Sequence, residues 1–281
     1  MSDATRAFFL DADHGRAGQR FCMLHTAQAP QPLGTVLFVH AFAEEMNKSR
    51  RMAQLQSRAL AASGMEVLQI DLHGCGDSSG DFGDATWQGW IDDVVHAAQW
   101  LQARQAGAPL WLWGHRAGCL LACEAAAKAG FDCHFLFWAP PPSGKALLQQ
   151  FLRLKTAGAM LTGAASGGGD SLRQELARGA SVEIAGYTLG SGLAQGLEQS
   201  TLTPPRGRAA RLEWIDVSAR ESATLSPIAA KTVAAWTDAG HRVRTHAVQG
   251  PSFWQTTEIE DVPQLVTATV AAVAGATEVT A

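Results

Sequence analysis

The sequence predicts an α/β fold in which helices cover both faces of a mostly parallel central sheet, with a helical cap insert. Apolar runs of strand length alternate with amphipathic stretches of helical length, which is the pattern of strand–helix–strand units. Residues 110–122 form an apolar run that continues through Gly-x-x-x-Gly into an Ala/Leu-rich helical pattern. Between 141 and 205 the strand pattern stops. The first two observations predict the fold class, and the third predicts the insert.

Three predicted strands open the chain. Residues 6–11 and 19–26 flank a Gly-containing turn, as in an antiparallel hairpin. Residues 35–40 form a continuous apolar run, which is typical of a strand buried on both faces. We therefore expect a hairpin followed by a central strand.

The first predicted helix covers residues 50–63. Asn47 or Ser49 would cap its N-terminus, since both side chains can accept a hydrogen bond from a free backbone amide. Gly64 would end the helix.

Strands and helices then alternate. Residues 66–71 are the next apolar run, and Thr86 can cap a helix that continues to Arg104 with apolar residues along one face. The run at 110–113 leads into a helix over 117–129, and residues 133–139 form another buried strand. These segments predict the parallel part of the sheet.

Residues 141–205 are predicted to form a cap. Helical patterns cover 145–161 and 171–177, and the Gly-rich segment 163–169 is a flexible link between them. The insert leaves from the carboxyl ends of the strands, where ligands bind in such sheets. It would therefore form a lid over the ligand crevice.

The strand pattern returns after the insert. Residues 211–217 and 242–248 are predicted strands, and 226–239 and 262–274 are predicted helices. The predicted domains are a core, 1–140 with 206–281, and the cap or lid, 141–205.

Composition excludes several classes of function. The formal net charge of -4 gives no electrostatic basis for binding nucleic acid or a membrane surface. No run approaches the ~20 apolar residues of a transmembrane helix, and the first 13 residues lack a signal-peptide pattern. The five cysteines form no Cys-x-x-Cys pair, which favours reduced thiols and a cytoplasmic location. We expect no nucleic-acid partner, no transmembrane segment, no metal and no cofactor.

The turn at 114–118 has the spacing of a nucleophile elbow, in which a buried strand turns sharply into a helix. Gly114 and Gly118 would let the strand and helix backbones approach closely. The centre of the Gly-x-Ser-x-Gly pattern, where the nucleophile stands, is Arg116. A guanidinium stays protonated and offers no lone pair, so Arg116 can be neither nucleophile nor base.

These features resemble the α/β-hydrolase superfamily along almost the whole chain. His40-Ala41-Phe42 resembles the oxyanion loop, and residues 71–78 resemble the Asp-x-x-Gly-x-Gly-x-Ser segment of that superfamily. The elbow and the insert match as well. The resemblance implies an α/β-hydrolase fold with a cap.

Four stretches further resemble one subfamily, the exosortase A system-associated hydrolases of the second type: 40–52, 74–82, 185–187 and 250–255. That family occurs near exopolysaccharide and PEP-CTERM protein-sorting genes. The resemblance implies a hydrolase label and, as a partner, a protein of the exosortase system.

The resemblance also implies where the other triad residues would stand. The histidine position falls in the loop 248–254, which carries Phe253 or Trp254 instead. Of the two nearby histidines, His246 lies inside the predicted strand, and His241 precedes it at the opposite end of the sheet. For the acid, Glu221 is the first candidate and Asp216 is the second.

Arg116 needs an anionic partner, because the macrodipole of the following helix disfavours a cation at its N-terminus by ~0.3–1 kcal/mol. One interpretation is an internal salt bridge to Glu44, Glu45 or Glu221. The other is a pocket cation that binds a carboxylate or phosphate of a ligand. In that case the amides of Ala117 and of Ala41 or Phe42 would add an anion site at the helix N-terminus.

Cys75 is the candidate for a substitute nucleophile. It follows the strand at 66–71 on the rim of the elbow, and a neighbouring arginine would lower the pKa of its thiol. The candidate catalytic residues are therefore Arg116, Cys75 and Glu221. The candidate substrate-binding residues surround the elbow: His40, Ala41, Phe42, Glu44, Glu45, Ala117, Phe253 and Trp254.

Two functions remain open at this point. In the first, the chain has a degenerate triad and binds a small anionic or acyl ligand under the lid. In the second, it hydrolyses an ester or thioester through a non-standard nucleophile such as Cys75. The triad positions favour the first function, because two of the three carry residues that cannot perform acyl transfer.

Overall fold

An eight-stranded sheet forms the centre of the computed structural model, which describes residues 5–12, 17–162, 169–220 and 224–275. The strands in these ranges are β1 (Thr5–Asp11), β2 (Gln19–His25), β3 (Gly34–Val39), β4 (Met65–Ile70), β5 (Leu110–His115), β6 (Cys133–Trp138), β7 (Val182–Ile184), β8 (Tyr187–Leu189), β9 (Arg211–Ser218) and β10 (Arg242–Gln249). The order in the large sheet is β1-β2-β4-β3-β5-β6-β9-β10, and β7 pairs only with β8. Strands β3 to β10 of the large sheet run parallel, whereas β1 and β2 are antiparallel.

Helices connect the strands. They are α1 (Glu44–Ala62), α2 (Trp87–Arg104), α3 (Ala117–Ala129), α4 (Gly144–Thr162), α5 (Gly169–Ala177), α6 (Ser191–Gln199), α7 (Pro227–Asp238) and α8 (Pro263–Ala274). Thr86 caps α2 by accepting a hydrogen bond from the amide of Gly89, as the sequence predicts. Ser226 caps α7 in the same way.

Two cores form, one on each face of the sheet. Residues of α1 and α8 pack on one face, around Trp113 and Trp138. Residues of α2 and α3 pack on the other face, together with apolar residues of the insert and Trp236 of α7. Strands β3 and β5 are fully buried, because both of their faces are covered. The predicted fold class, a mostly parallel sheet with helices on both faces, is therefore confirmed.

The segment between β6 and β9 is richer in structure than the sequence predicts. The two expected helices are present as α4 and α5. The hairpin β7–β8 and the helix α6 were not predicted. Ile184 and Leu189 of the hairpin are buried in the same core as α2 and α3.

The first helix begins earlier than predicted. It starts at Glu44 rather than at residue 50, so Asn47 and Ser49 lie inside the helix instead of capping it. The Ser49 hydroxyl donates to the carbonyl of Glu45. Glu44 and Glu45 occupy the first turn, where the helix dipole favours negative charge. This early start brings Glu45 towards the elbow.

Candidate functional site

The predicted elbow is a sharp strand-to-helix turn. Strand β5 ends at His115, α3 begins at Ala117, and Arg116 stands between them with φ 54° and ψ −115°. A Cβ on Gly118 would lie 2.0 Å from the carbonyl oxygen of Val39, and one on Gly114 would lie 2.5 Å from the amide nitrogen of Cys119. Any larger residue at either position would clash with backbone, so both glycines are required by the turn.

Three neighbouring strands end in strained turns. Ala43 after β3, Arg116 after β5 and Ala139 after β6 have φ of 49°, 54° and 43°. Such conformations cost of order 1–3 kcal/mol in a residue with a side chain, and they persist only where the surroundings enforce them. The three turns border one space at the carboxyl edge of the sheet, which we call the crevice.

Arg116 pairs with Glu45 inside the protein. The Arg116 Nε lies 3.3 Å from both carboxylate oxygens of Glu45, and Nη2 lies 3.2 Å from Oε1. Both side chains are buried, with 11% and 5% of their areas exposed. The internal salt bridge is therefore the arrangement in the structure, and Glu45 is the partner. Glu221, another expected partner, lies outside the described residues.

Gln150 of α4 forms hydrogen bonds with both residues of the Arg116–Glu45 pair. The Nη2 of Arg116 donates to Oε1 of Gln150 on α4 at 3.0 Å, and Nε2 of Gln150 donates to Glu45 at 3.3 Å. The Arg116 Nη1 donates to the carbonyl of Ala139. The guanidinium carbon also lies 5.5 Å from the centre of the Trp254 ring, within range of a cation–π contact. Arg116 thus joins β5, α1, the insert and the loop after β10.

Aromatic rings fill the place where the resemblance implies a histidine. Phe253 is fully buried and stacks on the ring of His115, with centroids 5.3 Å apart. Trp254 meets His115 edge-on at 5.4 Å. Burial and the nearby Arg116 hold the pKa of His115 well below its usual value, so this imidazole is neutral.

The other candidate histidines have partners away from Arg116. His246 lies 2.8 Å from the carboxylate of Glu213. His241 accepts a hydrogen bond from the amide of Ala210, at the amino end of β9. His40 bonds to the carbonyl of Ala41 and to the amide of Leu72 through its two ring nitrogens. None of these three imidazoles is placed to take a proton at the elbow.

The crevice is closed in this structure. Phe42 packs edge-on against Phe151 of α4, with centroids 5.1 Å apart. The cavity that remains between Phe42, Glu44, Glu45 and α4 has a volume of about 10 Å³. This volume is at the lower limit for a single water molecule. A ligand would therefore enter only if α4 moved.

The four stretches that carry the subfamily resemblance lie close together. Asn47 of the stretch 40–52 donates to the Tyr187 hydroxyl at 3.0 Å. Phe82 of the stretch 74–82 packs against the Tyr187 ring, with centroids 5.1 Å apart. Trp254 of the stretch 250–255 contacts Arg116, whose partner Glu45 belongs to the first stretch. Segments far apart in the sequence thus surround one crevice.

The sequence matches a known family model over part of its length. The model, described as serine aminopeptidase S33, matches residues 30–161. Human protein ABHD12B is 33% identical over 91 residues, which are 32% of this chain and 24% of that protein. The match thus spans about a quarter of the length of this curated relative. The residues matched by the family model include β3, α1, the elbow and β6.

Solved structures match almost the whole chain. Est1E from Butyrivibrio proteoclasticus, with ferulic acid bound, has a TM-score of 0.68 at 13% identity, covering 96% of this chain and 98% of that one. A carboxyl esterase from Bacillus coagulans has a TM-score of 0.64 at 14% identity, covering 98% and 99%. The chain has the α/β-hydrolase fold. The family model adds a resemblance to serine hydrolases over residues 30–161.

On this α/β-hydrolase fold, the oxyanion positions retain backbone donors. The amide of Ala117 is the first of α3, and among the described residues it has no hydrogen-bond acceptor. Free amides at a helix N-terminus are suited to an anion. Ala41 and Phe42 follow β3 as the resemblance implies, and both are buried.

The surroundings of Cys75 do not favour a thiolate. Its thiol is buried, and burial raises its pKa far above the usual range, with Asp71 adding to the effect and Arg50 opposing it. The sequence indicated that an arginine would lie nearby, but it did not show that the thiol would be buried away from solvent. A thiol that stays protonated is a poor nucleophile.

The acid position is only partly described. Asp216 lies near the end of β9, and burial raises its pKa, whereas the nearby Trp214 indole opposes the shift. Glu221 falls on residues that are not described. Sequence reasoning missed Gln150, because no local motif marks it and its role depends on how α4 crosses the elbow.

Other kinds of site find no support in the described ranges. These ranges hold no cluster of three or more His, Cys, Asp or Glu side chains arranged for a metal ion. Among the described helices, none is long and apolar enough to cross a membrane.

Proposed function

We propose that this chain is a binding protein built on the α/β-hydrolase fold, with a degenerate triad that does not perform acyl transfer. The observation that carries the proposal is the elbow centre. Arg116 holds the strained conformation of a nucleophile position, yet its guanidinium is bonded to Glu45. A paired guanidinium can neither attack a carbonyl nor accept a proton.

The rest of the crevice supports this proposal. Phe253 and Trp254 stand where the superfamily has its histidine, and both are buried. The substitute nucleophile Cys75 is a buried, protonated thiol. Covalent acyl transfer needs a nucleophile, and a base to activate it unless it is already ionised. Neither group is present among the described residues around the elbow.

The ligand that fits this site best is a small acyl compound. Phe42, Leu147 and Phe151 line the closed crevice with apolar surface, which suits a hydrocarbon chain. An anionic head group would have to replace Glu45 beside Arg116. The ligand would enter as α4 moves and the Gln150 hydrogen bonds to Arg116 and Glu45 break.

The proposal includes a cellular setting. The resemblance to exosortase A system-associated hydrolases suggests a protein of that system as a partner, and its four stretches surround the crevice. All five cysteines are buried free thiols, which supports a reducing, cytoplasmic location. Co-purification of the tagged chain with proteins of the exosortase system would test the partner.

A serine-directed fluorophosphonate probe tests the absence of catalysis. We expect no labelling of the wild-type protein and no turnover of a panel of ester and thioester substrates, with an active serine esterase as the positive control. The Arg116→Ser variant should remain inactive, because the adjacent His115 imidazole is stacked on Phe253 and burial lowers its pKa, which makes it a weak base. Stoichiometric labelling of any serine in the wild type would contradict the proposal.

A further inference from the structure

A cavity lined by several polar side chains lies away from the elbow. It has a volume of about 810 Å³ and is bounded by α2, α3, α6 and the segment 200–206. We call it the α6 groove. Its lining includes Trp87, Glu124, Gln195, Gln199, Pro204 and Arg206. This volume is in the range of pockets that hold small molecules.

Glu124 is the acidic group of the α6 groove. It is half-buried on α3, and its Oε2 accepts a hydrogen bond from the indole N–H of Trp87 at 3.1 Å. Burial raises the pKa of the Glu124 carboxyl, and the Trp87 bond opposes this shift. Among the described residues, Oε1 has no hydrogen-bond partner. Oε1 is therefore available to a donor that enters the groove.

Glu124 differs from the buried carboxylates of this protein. Each of the five buried carboxylates in the described ranges has its own arginine. The pairs are Glu45–Arg116, Glu66–Arg104, Asp71–Arg50, Asp93–Arg20 and Glu213–Arg244. Burying a charge without a partner is costly, so this pattern is expected. Glu124 has only the neutral indole of Trp87.

The lysine nearest in sequence does not fill this role. Lys128 lies one helical turn after Glu124 on α3, but it is bonded to Asp92 of α2. Arg206 lines the α6 groove with an exposed side chain, and no salt bridge joins it to Glu124 within the described residues. No cation among the described residues forms a salt bridge with the Glu124 carboxylate. A cation from a bound ligand could take that place.

Two other half-buried carboxyls also lack a salt bridge among the described residues, but their surroundings differ. Glu44 lies beside the cavity of about 10 Å³, and the charges of Lys48 and Arg116 act on it. Asp216 lines a cavity of about 360 Å³ whose border includes residues next to the undescribed segment 221–223. Glu124 lines the larger of these cavities, and the lining of that cavity lies wholly within the described residues.

We propose that the α6 groove binds a small molecule with a primary ammonium group on a short aliphatic chain. The ammonium pairs with Glu124, and the chain packs against Ala127, Pro204 and Pro205. The amides of Gln195 and Gln199 are exposed and available for further hydrogen bonds. This site is separate from the elbow, so it does not depend on the function proposed above.

Calorimetric titration with 1,4-diaminobutane at low ionic strength tests this site. We expect saturable binding to the wild type, and none for the neutral analogue 1,4-butanediol. Glu124→Gln keeps an acceptor for Trp87 but removes the charge, so it should weaken binding about tenfold or more. The matched control is Glu198→Gln on α6, which changes a carboxylate already paired with Arg173 and should leave affinity unchanged.

A second measurement locates the bound amine. The indole N–H signal of Trp87, identified by its loss in Trp87→Phe, should shift in the NMR spectrum as 1,4-diaminobutane is added to the wild type. The absence of saturable binding would overturn the proposal. Equal affinity in Glu124→Gln, or binding that leaves the Trp87 signal unmoved, would also overturn it. Each of these results is independent of fluorophosphonate labelling at the elbow.

Discussion

The guanidinium of Arg116 and the carboxylate of Glu45 lie 3.2 Å apart at the centre of the sharp turn between β5 and α3. Both side chains are buried, and Gln150 of the insert bonds to each of them. The crevice is therefore occupied by a charge pair that belongs to the protein itself. This arrangement has consequences for stability and for access to the elbow.

The first prediction concerns the contribution of the Arg116–Glu45 pair to the free energy of unfolding. Arg116→Met should lower the free energy of unfolding by about 3–5 kcal/mol, because it leaves Glu45 buried without a partner. The double variant Arg116→Met/Glu45→Met should recover most of this loss, since no charge remains buried. Urea unfolding of the three proteins gives the measurement. A single variant as stable as the wild type would show that the pair is not buried in solution.

An exposed ion pair supplies the control. Arg51 bonds to Asp261 with 58% of its side chain exposed, so the Arg51→Ala variant should lose much less stability than Arg116→Met. If both variants lost similar stability, burial would not be the reason that the Arg116–Glu45 pair matters to folding.

The second prediction concerns the closure of the crevice by α4. Gln150→Ala removes the hydrogen bonds to Arg116 and Glu45, and it should cost about 1–2 kcal/mol. Amide hydrogen exchange in α4 should become faster, because the helix loses its polar attachment to the elbow. Gln149→Ala is the matched control, since Gln149 is the neighbouring half-buried residue on the same helix. Equal exchange rates in the two variants would show that Gln150 does not hold α4.

The sequence predicted the sheet and the elbow because their signals are local. Apolar runs mark the buried strands, and the spacing of Gly114 and Gly118 marks a turn that tolerates no Cβ. The hairpin β7–β8 was missed because strands of three residues are too short for a periodic pattern. The start of α1 was misplaced because Asn47 and Ser49 look like caps, whereas the strained turn at Ala43 begins the helix.

The site was harder to predict, because its properties depend on tertiary packing. Three acidic residues were possible partners of Arg116, and only the path of α1 selects Glu45. Arg50 lowers the pKa of the Cys75 thiol, but burial has the larger effect and raises it. No sequence pattern reports how deeply a loop residue is covered. For the same reason, the sequence did not indicate that Gln150 would bond to Arg116 and Glu45.

The third prediction concerns acid unfolding. Burial lowers the pKa of His25 to about 4, and Arg58 adds to this shift. Because the folded pKa lies below the usual histidine value of about 6.5, the stabilisation is complete above pH 6.5 and is lost as the pH falls to about 4. His25 should thus account for about 3 kcal/mol of lost stability over this window.

The His25→Gln variant isolates this contribution. The wild-type protein carries other histidines with lowered pKa, such as His40 and His115, so both proteins should lose stability in acid. The difference between the two unfolding curves should shrink by about 1.4 kcal/mol per pH unit between pH 6.5 and 4. A difference that stays constant across this window would mean that His25 is protonated in the folded state.

The fourth prediction concerns the thiols. All five cysteines are buried, and burial raises the pKa of Cys22 and Cys133 to about 12. Ellman's reagent at pH 8 should therefore react very slowly with the native protein, because thiolate is scarce and access is blocked. In denaturant, all five thiols should react quickly. A fast native reaction that disappears in Cys75→Ser would restore Cys75 as a candidate nucleophile.

The joint burial of Arg116 and Glu45 also limits how this chain could change into an esterase. Replacing Arg116 by serine strands an acidic side chain in the interior, and Phe253 and Trp254 still exclude an imidazole from the adjoining space. Replacing either aromatic ring first opens a void beside a cation that cannot attack anything. Under the proposed function, either of these substitutions made first would leave a protein that is less stable and still without a nucleophile paired to a base, whereas coordinated changes at several positions would avoid that intermediate.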